Sequence, residues 1–228
     1  MPSKSNTVLV LDLDDTLYKE ADYVRSGLNH VAELVRRMIG SSVLSELLQF
    51  RERSPDGDVL GFVCQAAGLP ASVKESLLWA YRLHYPDIRL QPEIRQWLDK
   101  SQSEYCAIAI LTDGRSVTQR IKLQTLGLEN IPAYISEEWA STKPDQKRYV
   151  AIQERWQAKR YVYVGDNIVK DFLAPNRLHW TTVGLLDSGQ NIHAQQSQSS
   201  NLSSGTNEAM SQPNIWVRSL LEIDNIFT

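Results

Sequence analysis

Val8-Leu9-Val10-Leu11 is an unbroken apolar run, in part β-branched, that ends in acids at Asp12, Asp14 and Asp15. Such a run predicts a strand buried on both faces, as in a parallel sheet, with polar groups at its C-terminal end. From Ala21 the period changes. Val24, Leu28, Val31, Val35 and Met38 recur at helical spacing, and Gly40 marks a stop. Ser41 and Ser42 offer an N-cap for a second helix using Leu44, Leu47 and Leu48. Gly68 and Pro70 end another, and Ser72-Val73-Lys74-Glu75 reads as a capping box, in which Ser72 and Glu75 each satisfy a free backbone N–H. Residues 20–86 therefore predict helices with no strand between them.

The second half alternates. Helices are predicted over 92–100, 116–126, 145–156 and 168–173, and strands over 105–111, 133–136, 161–164 and 180–186. This alternation predicts an α/β fold, a three-layer Rossmann-like parallel sheet with helices on both faces and a helical insertion after the first strand. Ligands in such sheets bind at the carboxyl ends of the strands. Residues 188–214 are rich in Ser, Gln and Asn, with Glu208 as the one charge, and too few apolar side chains to offset ordering entropy. A mobile surface loop is expected there. Ile215-Trp216-Val217 and a helical stretch over 218–227 then return to the core.

Composition narrows the class. The 228 residues are 42% hydrophobic and 22% charged, a globular balance that excludes wholesale disorder. The net charge of −3 lacks the basic excess of a nucleic-acid binder. No apolar run approaches the ~20 residues that span a bilayer. Acids at 12, 14 and 15 break the only early apolar stretch, so a cytoplasmic protein without a signal peptide is expected. Cys64 and Cys106 form no disulfide framework and are expected as two buried, reduced thiols.

Four polar clusters fall at predicted strand ends or helix starts. Asp12-Leu13-Asp14-Asp15-Thr16 places two carboxylates at i and i+2, which is costly unless a cation or a substrate offsets the repulsion. Thr112-Asp113-Gly114 offers a hydroxyl and turn N–H groups to an oxyanion. Lys143-Pro144 precedes a helix and aims an ammonium at the sheet edge. Gly165-Asp166-(x4)-Asp171 brackets the same edge with two more acids. Each alone is consistent with a capped turn or a solvated charge. Together, in this order, they suit a phosphate: carboxylates hold Mg²⁺, cations neutralise phosphoryl oxygens, and hydroxyl and amide groups orient them.

On Asp12-x-Asp14-x-Thr16, Thr112, Lys143-Pro144 and Gly165-Asp166-(x4)-Asp171 the chain resembles the haloacid dehalogenase superfamily, in the subgroup with a helical cap between the first and second motifs. The resemblance covers the chain apart from 188–214. Asp15 stands where many members carry Gly. The resemblance implies a core of residues 1–17 and 90–228 and a cap of 18–89. It implies Asp12 as the nucleophile forming an aspartyl-phosphate and Asp14 as the acid and then base. Mg²⁺ would be held by Asp12, Asp14 (through its carbonyl) and Asp166, with Asp171 behind them supporting Lys143 or a metal-bound water. Thr112, Lys143 and the N–H groups of Asp113 and Gly114 would hold the phosphate. An alkoxide leaving group needs a proton where halide does not, so Asp14 favours phosphate-ester hydrolysis over dehalogenation.

The expected enzyme is a Mg²⁺-dependent phosphatase of a small phosphorylated metabolite, a monomer or weak dimer, with no nucleic-acid or membrane partner. A faint likeness of 111–120 and Asp166-Asn167 to relatives in bacterial surface-polysaccharide pathways favours a sugar phosphate. A phosphomutase of the same fold and a non-catalytic phosphate-binding descendant are the alternatives. A phospho-acceptor receiver is disfavoured, because the second acid pair follows Lys143. Tyr18, Lys19, Tyr23, Arg25 and Arg115 are candidate substrate contacts. His30, His84, His179 and His193 match no ligand spacing, and the six tryptophans are expected in packing.

Overall fold

Thr7–Leu11 forms strand β1, with every residue buried. The computed structural model describes residues 4–189, 191, 192, 195 and 210–227. Further strands are β2 (Ala107–Thr112), β3 (Ala133–Ile135), β4 (Arg160–Gly165), β5 (Thr181–Leu185) and β6 (Ile215–Val217). They form one sheet in the order β3-β2-β1-β4-β5-β6, with every pair parallel. Leu11 lies opposite Ile110 on one side and Val164 on the other. The strand order reverses at β1, so a crevice opens at its carboxyl end.

The apolar run of β1 is explained by this central place, because helices cover both faces and neither side alternates with water. On one face Val8, Val10, Ala109 and Leu111 pack with Tyr149 and Ile152 of α8 (Lys147–Arg155), with Tyr163 and Trp180, and with Ala174 of α9 (Leu173–Arg177). Tyr149 meets Tyr163 and Trp180 edge to face, at centroid distances of 5.5 Å each. Leu9, Leu11, Ile108 and Ile110 alternate to the other face. There α5 (Pro92–Glu104) buries Ile94, Trp97 and Leu98, and α6 (Ser116–Thr125) buries Leu123.

The chain divides into two compact units, Met1–Ala21 with Arg89–Thr228, and Asp22–Ile88. The second is helical: α1 (Glu20–Ile39), α2 (Leu44–Arg53), α3 (Val59–Ala66) and α4 (Val73–Leu83). Its core joins Leu28, Val31 and Val35 to Leu47, Val63, Cys64 and Leu77. The short helix α7 (Ser136–Trp139) and 3-10 segments at Lys4–Asn6 and Leu220–Phe227 complete the elements described. Among the described residues no helix is long and apolar enough to cross a membrane.

Several local expectations change. Ser72 does not cap α4: its backbone is already helical (φ −61°, ψ −21°), so its hydroxyl makes no cap bond. Asp58 is the side chain that caps a helix in this unit, accepting from Gly61 N at 3.0 Å. Cys106 is exposed rather than buried, because β2 begins at Ala107 and Cys106 lies in the bend before it. The helix expected from 145 starts at Lys147, and the one expected over 168–173 starts at Leu173. Most of the loop expected over 188–214, with His193, lies outside the described residues.

Leu9 has no exposed surface and sits mid-strand in the central strand. Leu9→Ala is expected to lower unfolding free energy by about 3 kcal/mol through lost burial and the cavity left. Urea denaturation followed by circular dichroism measures it.

Candidate active site

The carboxyl ends of β1, β2 and β4, with the turn between α7 and α8, bring the four polar clusters together. Asp12, Asp14, Thr112, Asp113, Lys143, Asp166 and Asp171 line one cavity of about 130 Å³, with Asp15, Glu20, Asn167 and Lys170. Asp12 N–H continues the β1 ladder, donating to Val164 O at 2.9 Å, which fixes the first residue past the strand.

Lys143 bridges two buried carboxylates. Its buried ammonium donates to Asp12 Oδ1 at 2.6 Å and to Asp171 Oδ1 at 2.7 Å. Asp171 Oδ1 also accepts from Tyr163 OH at 3.0 Å, and its Oδ2 accepts from Asn167 N at 2.8 Å. This packing requires glycine at 165, since a Cβ there would lie 2.4 Å from Asp171 Oδ2. Burial, together with the Asp171 and Asp166 charges, holds the Asp12 carboxyl well above the usual carboxylate range despite Lys143. Burial and Asp171 likewise push Asp166 up to about 7. Burial opposes the Lys143 charge, but Asp12 and Asp171 outweigh it and raise its pKa.

The excess of carboxylate tests the site for a metal. One ammonium serves Asp12 and Asp171, and carboxylate oxygens of Asp12, Asp166 and Asp171 lie within 4.8 Å of one another. A hard, all-oxygen set with surplus negative charge fits Mg²⁺. Both oxygens of Asp171 already accept protein donors, so Asp12 and Asp166 have more coordinating capacity left.

Asp14 has a separate partner set. Its Oδ1 accepts from Lys122 Nζ at 2.8 Å and from Tyr18 OH, and its Oδ2 accepts from Gln119 Nε2 at 3.0 Å. Burial works to raise its pKa, yet the Lys122 charge and these three donors hold it below the usual value. The Gln119 amide also reaches Thr112 Oγ1 at 2.7 Å and Asp113 O at 2.9 Å.

Asp113 faces the other way. Its carboxylate accepts from Lys143 N at 3.0 Å and from the wholly buried Arg148, whose guanidinium also donates to Thr112 O at 2.8 Å and Tyr134 O at 3.1 Å. Arg148 thereby ties the ends of β2 and β3 to the Lys143 turn. The expectation for Gly114 N–H changes: it donates to Ser136 Oγ at 2.9 Å, so it is committed to the start of α7 rather than open to a phosphate. Arg115 is ion-paired with Glu137 at 2.6 Å.

Asp15 takes a left-handed backbone, φ 54°, which favours glycine. Its carboxylate compensates locally by accepting from Glu20 N at 2.9 Å and Ile192 N at 3.0 Å. Asn191 Nδ2 donates to Asp166 Oδ2 at 2.9 Å, and Lys19 Nζ donates to Asn191 Oδ1 at 2.7 Å. Glu20 enters the cavity wall from the first residue of α1.

Sequence reasoning missed Gln119, Lys122, Arg148 and Glu20. A signal existed for two of them: Gln119 and Lys122 share a helical stripe, at i and i+3, with the buried apolar Leu126 at i+7. That phase is one a solvated lysine would avoid.

A family model described as haloacid dehalogenase-like hydrolase matches residues 9–185. No curated protein matches the chain in sequence. Among solved structures, YfnB of Bacillus subtilis bound to magnesium is similar at TM-score 0.63 and 16% identity, covering 99% of this chain and 100% of that one. A 2-haloacid dehalogenase from Pseudomonas syringae pv. Tomato gives 0.61 and 18%, covering 96% and 97%. A HAD phosphatase from Thermococcus onnurineus gives 0.57 and 21%, covering 96% and 97%. At these identities the likenesses establish the fold.

Burial, with the Asp14 charge, pushes Glu20 up to about 7. A carboxyl raised above its unfolded value of 4.5 makes the folded state bind more protons, so its contribution to stability is lost as pH rises from that value to the folded one. Glu20→Gln is therefore expected to gain stability relative to the parent chain between about pH 5 and about pH 8. Melting temperatures of both proteins across that range check the sign.

Proposed function

Since the chain belongs to the haloacid dehalogenase-like hydrolases, we propose that it is a Mg²⁺-dependent phosphatase that cleaves small phosphate monoesters through an aspartyl-phosphate on Asp12. The observation that carries this reading is Asp14. It lines the same cavity as Asp12 and Lys143, where a departing alkoxide needs a proton and a departing halide does not.

In the first step an Asp12 carboxylate oxygen attacks phosphorus. The new O–P bond forms as the ester O–P bond breaks, and the alkoxide takes the proton of the Asp14 carboxyl. In the second step water attacks the same phosphorus and gives its proton to Asp14. The electron pair of the Asp12 O–P bond returns to the carboxylate, and inorganic phosphate leaves. The donors around Asp14 favour its charged form, which serves as the base in this step. The Thr112 hydroxyl, the Asp113 N–H and Lys143 orient the phosphoryl oxygens and offset their charge. Asp12, Asp166 and the Asp14 carbonyl would hold Mg²⁺, which supplies positive charge against the phosphoryl oxygens. Asp171 would hold Lys143 toward Asp12, the contact at 2.6 Å.

The substrate would be a small phosphorylated metabolite, with a sugar phosphate first among the classes to assay. The helical unit inserted after β1 would act as the cap that selects it.

With Mg²⁺ the protein is expected to release phosphate from a panel of aryl and sugar phosphates, and EDTA abolishes release. No phosphate from any ester overturns the reading, and an isomerised sugar phosphate in its place points to a mutase. Asp12→Asn is expected to lower turnover by at least about 10⁴-fold with an unchanged circular-dichroism spectrum.

A further inference from the structure

We propose that Lys122, assisted by Gln119, is the positioning residue for Asp14, and that it acts chiefly in hydrolysis of the phosphoenzyme. The inference rests on the reading that Asp14 is the base in that step. Lys122 is a lysine on the buried side of α6, with 5% of its side chain exposed. Burying an ammonium costs free energy unless a partner takes up its charge. The partner here is Asp14 at 2.8 Å. Lys143 makes its ion pairs with Asp12 and Asp171, so the nucleophile and Asp14 each have a lysine of their own.

The direction of the hydrogen bonds points to one of the two chemical steps. Lys122 and Tyr18 donate to Asp14 Oδ1, and Gln119 donates to Oδ2. Three donors converging on both oxygens complement an acceptor. They suit a carboxylate that begins the step charged and holds a lone pair on an attacking water. They suit less well a carboxyl that must aim its own proton outward. Lys122 and Gln119 project from one helix at i and i+3, so α6 grips Asp14 as a unit. The Gln119 amide extends that grip to Thr112 Oγ1, which registers Asp14 against the phosphate-facing hydroxyl. An unsupported carboxylate would rotate among orientations and hold the water in line for only part of the time. Balance is kept within the hydrolytic step. The water oxygen bonds to phosphorus, its proton passes to Asp14, and the Asp12 O–P electron pair returns to Asp12. Lys122 transfers nothing; it keeps the accepting oxygens where the proton arrives.

The test uses the full chain with Mg²⁺ and p-nitrophenyl phosphate, whose phenolate leaves without a proton. In a two-step scheme kcat/KM reports phosphorylation of Asp12, and slow hydrolysis lowers kcat and KM together. Lys122→Met, similar in volume, is expected to lower kcat by about 10²-fold with kcat/KM nearly unchanged. It should also show a stoichiometric burst of nitrophenolate and an intact mass raised by one phosphoryl group. Lys122→Arg, which keeps the cation, should restore most of kcat and abolish the burst. Lys122→Gln gives the same readout should the Met variant not fold, as judged by its melting curve. A loss of kcat and kcat/KM in parallel without a burst would mean a merely structural ion pair and would overturn the proposal, as would unchanged kcat. Asp14→Asn separates the two layers. If it turns over normally, the reading of Asp14 fails. If it is inactive while Lys122→Met behaves as the parent, the role of Lys122 alone fails.

Discussion

One ammonium stands between Asp12 and Asp171, with Asp166 close behind, in a space walled by three parallel strand ends. Like charges so close in a buried site repel strongly unless cations intervene. Much of the surrounding architecture answers that repulsion. Tyr163 and Asn167 also donate to Asp171, and Gly165 clears the room it needs. Arg148 anchors Asp113, and through it the backbone of Lys143, so the bridging lysine is held from its own main chain. What stays uncompensated is concentrated on Asp12 and Asp166, which is where a divalent cation has most to offer.

The second charge system, around Asp14, is distinct in partners and in geometry. Lys143 reaches Asp12 and Lys122 reaches Asp14, and Gln119 joins Asp14 to Thr112 at the end of β2. Two acids with separate counter-charges can differ in protonation even though only Leu13 separates them in sequence. That separation is what the proposed roles of nucleophile and proton carrier require of one another. Glu20 adds a further carboxyl to the cavity wall.

The sheet was legible because its interior strands are continuous apolar runs, and the candidate site was legible because it begins where those runs stop. Asp12, Thr112 and Asp166 each follow the last apolar residues of a strand, and parallel strands bring such ends to one edge. The supporting residues were illegible for a different reason. Gln119, Lys122 and Arg148 are polar side chains at core-facing helical positions, and a pattern of hydrophobic positions treats them as surface. Their pairing partners, distant in sequence, supply the reason they are buried. Local signals misled where backbone conformation decides. Ser72 has the composition of a cap but a helical backbone, and Cys106 lies one residue short of its strand. At Gly114 the turn expected to present its N–H to an anion presents it to Ser136.

The central claim is that Asp12 becomes phosphorylated during turnover, and borohydride trapping tests it most directly. The protein, turning over a phosphate ester with Mg²⁺, is quenched with borohydride, which reduces an acyl phosphate to the alcohol, and its peptides are weighed. The account predicts homoserine at position 12 and unmodified aspartate at 14, 166 and 171. Active turnover with Asp12 unreduced, or reduction at another of these acids, would contradict it.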